Sequence, residues 1–142
     1  MAQHWLLKSD PEAYSWPDLV RDGGTLWDGV RNHQARNNLE KMRPGDLCLI
    51  YHSVQGQAVV GVAKVKAGPR PDPSAEDPRW LAVEIVPAFA LAQPVSLAAI
   101  KADPALGDIA LVRQSRLSVM PLAPAEYARI LELGGGRAKS QR

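Results

Sequence analysis

Apolar positions along the chain change their period, and this change separates predicted strands from predicted helices. Gln3–Lys8 and Asp46–Ser53 are short apolar runs with polar ends, which predicts two strands whose polar ends lie side by side. Asn32–Met42 instead places apolar residues at i, i+4 and i+7, which predicts an amphipathic helix closed by Pro44 and Gly45.

Capping residues and β-branched runs predict the remaining elements. Ser15 and Asp18 have the spacing of a capping box, so we expect a short helix that ends at Gly23. Together the elements predict an α+β fold, a small mixed β-barrel with short helices that cover its ends. The other predicted elements are strands at Ala58–Ala67, Trp80–Phe89 and Leu117–Leu122, helices after Ser96 and over Pro124–Leu133, a hairpin turn over residues 55–57 and an exposed proline-rich loop over residues 68–78.

Length, charge and cysteine usage add a few constraints. The 142 residues fit one domain, predicted over residues 1–136 and followed by a basic C-terminal tail over residues 137–142. Cys48 is the single cysteine and lies in an apolar run, so a buried reduced thiol and a cytoplasmic location are expected. No apolar run approaches the ~20 residues of a membrane span, so no membrane partner is expected. A net charge of +2 permits a polyanionic partner, and we expect a monomer.

The stretch Trp27–Asn38 brings an indole, two guanidinium groups and several side-chain amides close together. An aromatic plate beside planar amides is what a site needs to stack a flat heterocycle and to hydrogen-bond its edge. We therefore predict that Trp27 stacks a flat ligand, while amides such as those of Asn32 and Asn37 contact its edge. The alternatives are that Trp27 fills the core beside a turn and that the amides only cap neighbouring loops.

The same chain gives little support to catalysis or to metal binding. His52 and Ser53 are adjacent on a predicted strand and so point to opposite faces, and no Gly-x-Ser-x-Gly turn accompanies them. The three histidines lack the spacing of a metal site, and one cysteine cannot supply a pair of ligands. No glycine-rich phosphate loop joins a strand to a helix. We expect no catalytic residue, no metal and no cofactor.

A basic segment near the C-terminus, Arg113–Ser118, alternates two arginines with hydroxyl and amide groups. Such a segment can donate hydrogen bonds to phosphate oxygens without reading sequence. We predict that Arg113 and Arg116 contact phosphates, with Lys8 and Arg31 contributing further positive charge. The alternative is a solvated edge strand whose arginines prevent association with other strands.

Several of these segments together resemble the EVE domain family, and the resemblance covers about residues 3–134. The family implies a PUA-like β-barrel, akin to the YTH and ASCH domains, and binding of a modified nucleobase in nucleic acid. The segments that carry the resemblance are Trp5–Pro11, Tyr14–Trp16, Trp27–Asn38, Gly45–Asp46, Tyr51–Ser53, Val60–Ala63 and Val112–Ser118.

The resemblance also implies which residues surround a base pocket, and this sequence departs from the family pattern at three positions. Asp10 stands where glutamate is usual, His33 where tyrosine or phenylalanine is usual, and Ala123 where a capping threonine is common. We therefore expect His33 to make a second aromatic wall of the pocket more polar. The predicted pocket residues are Lys8, Ser9, Trp27, Arg31, Asn32, Asn37, His52, Ser53, Leu117 and Ser118.

The sequence thus predicts a non-enzymatic module that binds DNA or RNA and recognises one modified base flipped into an aromatic and amide pocket. Two alternatives stay open: an RNA-binding accessory domain without preference for modification, and an enzyme that acts on a small heterocycle. If Trp27 serves only as a plate for the ligand, Trp27→Ala should weaken binding and leave the melting temperature nearly unchanged.

Overall fold

A computed structural model of the chain describes residues 3–54 and 56–137. Over these residues the strands form one sheet and short helices lie between some of them, which is the predicted α+β class. The elements in chain order are β1 (His4–Ser9), α1 (Trp16–Asp22), β2 (Thr25–Trp27), α2 (His33–Glu40), β3 (Leu47–His52), β4 (Ala58–Pro71), β5 (Leu81–Ser96), α3 (Leu97–Ala102), α4 (Ala110–Arg113), β6 (Val119–Leu122) and α5 (Pro124–Leu133).

The strands form one mixed sheet in the order β2-β5-β4-β3-β1-β6. β1 and β3 are parallel, and the other neighbouring pairs are antiparallel. The register places Ser9 opposite His52, and the Ser53 amide donates to the Ser9 carbonyl over 2.9 Å. The prediction that the polar ends of β1 and β3 lie side by side is therefore confirmed. β3 and β4 form the predicted hairpin, but Gln55 in its turn lies outside the described residues.

A buried carboxylate fixes the start of these two parallel strands. Asp46 is 2% exposed and lies just before β3. It accepts hydrogen bonds from the Gln3 amide over 2.9 Å and from the Trp5 indole N–H over 3.0 Å. Because a buried charge is stable only when such partners satisfy it, these bonds hold β1 in one register against β3. The opposite ends of both strands are consequently held together as well.

Helix α2 covers the gap that the sheet leaves between its outer strands. In the part of the chain that the structure describes, β2 and β6 are not hydrogen-bonded to each other, so the barrel is open there. α2 packs against β6, β5 and β4, and its residues Ala35 and Leu39 are fully buried. The buried Asn38 amide donates to the Val119 carbonyl on the edge strand β6 over 2.7 Å. A helix, instead of a further strand pair, therefore completes the mixed barrel.

The sheet differs from the prediction in strand length and in one additional strand. β4 continues to Pro71, into the segment predicted as an exposed loop. Its last residues pair with β5 alone, so prolines there leave no hydrogen bond to β3 unmade. β5 runs on to Ser96, and β2 pairs with it where the sequence predicted a turn around Trp27. Three residues are too few to show a period, so this strand depends on its partner.

Most predicted helix ends are confirmed. Ser15 and Asp18 form the capping box of α1, and the Ser96 hydroxyl accepts from the third residue of α3. α5 begins after Ala123, which has no side chain able to cap it. Only half of a capping box remains there, in which the Glu126 carboxylate accepts from the Ala123 amide over 2.9 Å. The four-residue helix α4 was not predicted.

The chain stays attached to the sheet beyond α5. The carbonyls of residues 134 and 136 accept from β5 amides over 3.0 and 2.9 Å. Arg137 forms an isolated bridge with Leu91, and its guanidinium lies 5.6 Å from the centroid of the Phe89 ring. The first residue of the predicted tail thus packs with the domain, and residues 138–142 lie outside the described residues.

Cys48 is fully buried within β3, as its apolar run predicted. Burial, with a smaller contribution from Asp46, raises the pKa of its thiol, which therefore packs as a small apolar group. None of the helices over the described residues is long and apolar enough to cross a membrane.

Candidate nucleic-acid interface

A cavity opens where the end of β1, the short strand β2 and the loop after β2 meet, and we call it the Trp27 cavity. Its volume is about 660 Å³, which lies in the size range of pockets for small organic ligands. Aromatic, amide, acidic and basic groups line it. The lining residues are Lys8, Ser9, Asp10, Ala13, Tyr14, Thr25, Leu26, Trp27, Asp28, Gly29, Val30, Arg31, Asn32 and Ser118.

Trp27 serves both the cavity and the core. It ends β2 and pairs with Val83 of β5. Its side chain is partly buried, packs against the hydrophobic core and also lines the cavity. The Trp27 ring therefore fills part of the core, as the alternative prediction had it, and also forms part of the cavity wall. Truncation to alanine removes these core contacts as well. We therefore expect Trp27→Ala to lower the melting temperature, and not to leave it nearly unchanged.

The end of β1 contributes a cation and a hydroxyl to the cavity. The Lys8 ammonium donates to the Ser115 carbonyl over 2.7 Å, and burial lowers the pKa of this lysine. The Lys8 amide donates to the Ser118 carbonyl over 2.9 Å, which holds Ser118 at the same rim. The Ser9 hydroxyl donates to the Tyr14 carbonyl, so its oxygen lone pairs remain able to accept.

Asp72 anchors the loop that forms the opposite wall. Asp72 is 2% exposed, and its carboxylate accepts from the Gly29 amide over 2.8 Å and from the Arg31 guanidinium over 2.9 Å. It also accepts from the Ser74 amide and hydroxyl, each over 2.7 Å. Burial opposes ionisation, but the hydrogen bonds from Ser74, Arg31 and Gly29 outweigh it and hold the Asp72 pKa well below its usual range. A fixed negative charge therefore positions this wall.

Asn32 connects the cavity wall to helix α2. Its Oδ1 accepts from the Ala35 amide over 2.9 Å and so caps the helix, which begins one residue later than predicted. With the oxygen occupied, the NH₂ group of the same amide is the part that can donate to a ligand in the cavity. The capping alternative and a binding role are thus compatible in this side chain.

Asn37 and His33 lie outside the Trp27 cavity, contrary to prediction. Both line a separate groove of about 280 Å³ with Arg36, Arg79 and Trp80. The imidazole of His33 stacks on the Trp80 ring, with centroids 4.9 Å apart, and so is not a second wall of the base pocket. The reason is helical geometry: His33 and Asn37 are four residues apart and share one face of α2, whereas Asn32 is the N-cap at the end of the loop that lines the cavity.

Three other predicted pocket residues are also placed away from the cavity. The His52 Nε2 accepts from the Trp16 amide over 2.9 Å, and burial lowers the pKa of this imidazole. Ser53 is half-buried beyond the end of β3, and Leu117 is 3% exposed within the core. His52 thus holds the start of α1, and Leu117 contributes apolar packing. These positions support the walls of the site without forming them.

The two predicted phosphate contacts lie on the surface near the Ser115 and Ser118 rim. Arg113 pairs with Asp108 over 2.9 Å, and the two side chains are 65% and 92% exposed. Arg116 is exposed, and among the described residues it has no ion-pair partner. Both remain open to solvent and to a polyanion, but the charge of Arg113 is already partly balanced.

Several cavity residues were not singled out from the sequence as site residues. Thr25 and Leu26 belong to the unpredicted β2, and Tyr14 lies in a segment that carried only the family resemblance. Burial and a 2.8 Å hydrogen bond to Asp22 raise the pKa of Tyr14, so its phenol stays protonated at neutral pH. Asp72 lies in the segment predicted as an exposed loop, and no local signal in the sequence indicates that it is buried.

Within residues 3–54 and 56–137, no cluster of three or more His, Cys, Asp or Glu side chains is placed to hold a metal ion. The cavity carboxylates of Asp10 and Asp28 are exposed, and Asp10 accepts from the Glu12 amide over 2.9 Å. The arrangement offers stacking and hydrogen bonding around a flat ligand.

Comparison with known proteins gives a consistent result along the whole domain. The sequence model of the EVE domain matches residues 3–133. Human thymocyte nuclear protein 1 is 31% identical, in an alignment that covers 94% of this chain and 74% of the human protein. A crystal structure of an Agrobacterium tumefaciens protein has a TM-score of 0.93 at 40% identity and covers 98% of this chain and 100% of that one.

Two further structures carry nucleic acid. Human thymocyte nuclear protein 1 in complex with DNA containing 5-methylcytosine has a TM-score of 0.87 at 30% identity, covering 94% of this chain and 98% of that one. A Zygosaccharomyces rouxii YTH domain in complex with N6-methyladenosine RNA has a TM-score of 0.61 at 17% identity, covers 99% and 90% of the two chains, and bears on the fold alone. The PUA-like architecture is thereby confirmed, and the chain belongs to the EVE domain family.

Proposed function

We propose that this chain is a non-enzymatic module that binds nucleic acid and holds one modified nucleobase in the Trp27 cavity. The observation that carries the proposal is the cavity itself, where a partly buried indole lies beside ammonium and amide donors in a space of about 660 Å³. A relative at 30% identity, human thymocyte nuclear protein 1, has been solved with DNA that contains 5-methylcytosine. Both facts favour recognition of a base over turnover of a substrate.

In this proposal the Trp27 ring stacks on the base, and such a contact contributes roughly 1–3 kcal/mol. The NH₂ group of Asn32 donates to an acceptor on the base edge, while the Ser9 oxygen accepts from an amino group. The base must leave its stack, which costs a few kcal/mol and favours single strands or weakened pairs. Burial of one extra methyl group gives about 1–3 kcal/mol, so preference for the modified base should be tens of fold.

Cations around the cavity contact the flanking phosphates in this proposal, and they do so weakly. Arg31 is paired with Asp72 and Arg113 with Asp108, whereas Lys8 and Arg116 have no carboxylate partner among the described residues. We therefore expect about two effective phosphate contacts, each contributing about −0.7 to the slope of log K against log salt on single strands. The proposal further includes a cytoplasmic monomer that requires neither metal nor cofactor.

The test is a parallel titration of short single strands that differ at one central base. DNA and RNA versions carry cytosine, 5-methylcytosine, adenine or N6-methyladenine, and dissociation constants are compared at one salt concentration. We expect one modified base to bind tens of fold more tightly than its parent, and Trp27→Leu to remove this preference. Equal binding of modified and unmodified RNA would instead favour an RNA-binding accessory domain. Absence of binding to all strands would overturn the proposal.

A further inference from the structure

A second aromatic surface lies beside the Trp27 cavity, and we call it the Trp80 groove. It has a volume of about 280 Å³ and is lined by His33, Arg36, Asn37, Arg79 and Trp80. Its floor is a ring stack, in which the His33 and Trp80 centroids are 4.9 Å apart and the planes differ by 30°. His33 is exposed and Trp80 is half-buried, so the stack presents aromatic surface to solvent.

The groove and the cavity share a wall. Asn32 lines the cavity and His33 lines the groove, and consecutive Cα atoms are only ~3.8 Å apart. Arg31 also belongs to the cavity lining, and its guanidinium lies 5.8 Å from the centroid of the Trp80 ring. One ligand that fills both sites therefore needs two flat groups joined by a short linker, and adjacent nucleotides of one strand provide this.

The charges in the groove are already balanced within the protein. Arg36 pairs with Glu40 over 2.8 Å, and Arg79 pairs with Asp77 over 2.7 Å. The Asn37 Oδ1 accepts from Arg36 over 3.1 Å, so the NH₂ group of this amide is left to donate. Such a surface suits a flat uncharged ring with acceptors on its edge better than it suits a phosphate group.

We propose that the Trp80 groove binds the base of the nucleotide next to the one held in the Trp27 cavity, on the same single strand. This inference rests on the proposed function, since it assumes that a nucleic-acid strand occupies the cavity. Stacking is tolerant of sequence because every base has a π-face, so the groove adds affinity without selecting a particular neighbour. Because its cations are paired, the groove also adds affinity without steepening the salt dependence.

The experiment compares two single-stranded DNA pentanucleotides with 5-methylcytosine at the centre. One has thymine at the flanking positions, and the other has abasic sites there. We expect Trp80→Ala to weaken binding of the first strand about 5- to 150-fold and to leave binding of the abasic strand unchanged. Trp80→Phe, which keeps an aromatic ring, should retain most of the affinity. The salt slope of the first strand should be the same in Trp80→Ala as in the unmodified chain.

The remaining outcomes would contradict either the Trp80 subsite or the proposed function. If Trp80→Ala weakens both strands equally, the tryptophan acts through Arg31 or the cavity wall, and the subsite is overturned. An unchanged affinity for the thymine strand overturns it as well. If 5-methylcytosine and cytosine strands bind alike and Trp27→Leu has no effect, the proposed function itself fails. Circular dichroism of each variant shows that the fold is retained, and the abasic strand controls for any local distortion.

Discussion

Asp72 offers the sharpest test of how the cavity wall is held. Its buried carboxylate accepts four hydrogen bonds from Gly29, Arg31 and Ser74, at 2.7 to 2.9 Å. Asp72→Asn keeps the size of the side chain but replaces one acceptor oxygen by an NH₂ group that faces donors. If the NH₂ group faces Gly29 and Arg31, both hydrogen bonds on that side are lost; if it faces Ser74, the Ser74 amide loses its acceptor, and the hydroxyl can only accept in its turn.

The expected cost follows from these contacts. Hydrogen bonds to a charged group contribute about 1.5–3 kcal/mol each, but the Arg31 side chain is 41% exposed and its share must be discounted for solvent screening. We therefore expect Asp72→Asn to lower the free energy of unfolding by about 2–4 kcal/mol. The loop from Gly29 to Asn32 should also become more mobile, so affinity for a strand that uses the cavity should fall.

Urea unfolding and hydrogen exchange measure the two effects separately. The urea midpoint should decrease, and the backbone amide that faces the new NH₂ group, either Gly29 or Ser74, should lose protection because its acceptor is gone. Glu132→Gln is a suitable control, since it breaks an exposed pair on α5 and should change neither quantity. An unchanged urea midpoint in Asp72→Asn, or full protection of both the Gly29 and the Ser74 amides, would refute this account of the wall.

The same carboxylate predicts a pH dependence. The folded-state pKa of Asp72 is depressed below its ordinary value of 3.8, so its contribution to stability is complete above that pH. As the pH falls below 3.8, the unfolded chain takes up a proton before the folded chain does, and this contribution is lost. As the pH is lowered through this range, the free energy of unfolding should therefore fall less steeply in Asp72→Asn than in the unmodified chain.

Three further predictions concern other parts of the molecule. Trp27→Leu should weaken binding by about 1–3 kcal/mol but cost less unfolding free energy than Trp27→Ala, because leucine keeps apolar contact with the core; equal stability losses by urea titration would contradict this. Replacing Arg113 and Arg116 by alanine should flatten the slope of log K against log salt by about 0.7, because Arg113 is already paired with Asp108 and only Arg116 counts fully. A loss of affinity restricted to strands with a modified base would instead mean that both arginines contact that base. Ala123→Thr should add a missing cap worth about 1 kcal/mol and raise the melting temperature by about 2–4 °C in thermal unfolding, and no rise would mean that α5 begins elsewhere in solution.

Local patterns in the sequence determined most elements of the fold. The apolar runs of β1 and β3, the capping box at Ser15 and the helical spacing before Met42 each depend on contacts within a few residues. Such signals act on the backbone directly, so they can be read without knowing what packs against them. The polar ends of β1 and β3 also met as predicted, because parallel neighbours bring like ends together.

The tertiary structure alone decided how the site is divided. Gly29 and Asp72 are 43 residues apart in the sequence, and their hydrogen bond exists only because β4 extends to Pro71 beside the loop after β2. Asn32 and Asn37 look alike in the sequence, but α2 turns between them and sends one to the Trp27 cavity and the other to the Trp80 groove. Composition therefore identified the residue types of a base-binding surface. Their assignment to two separate sites required the packing of distant segments, whose contacts leave no periodic signal in the sequence.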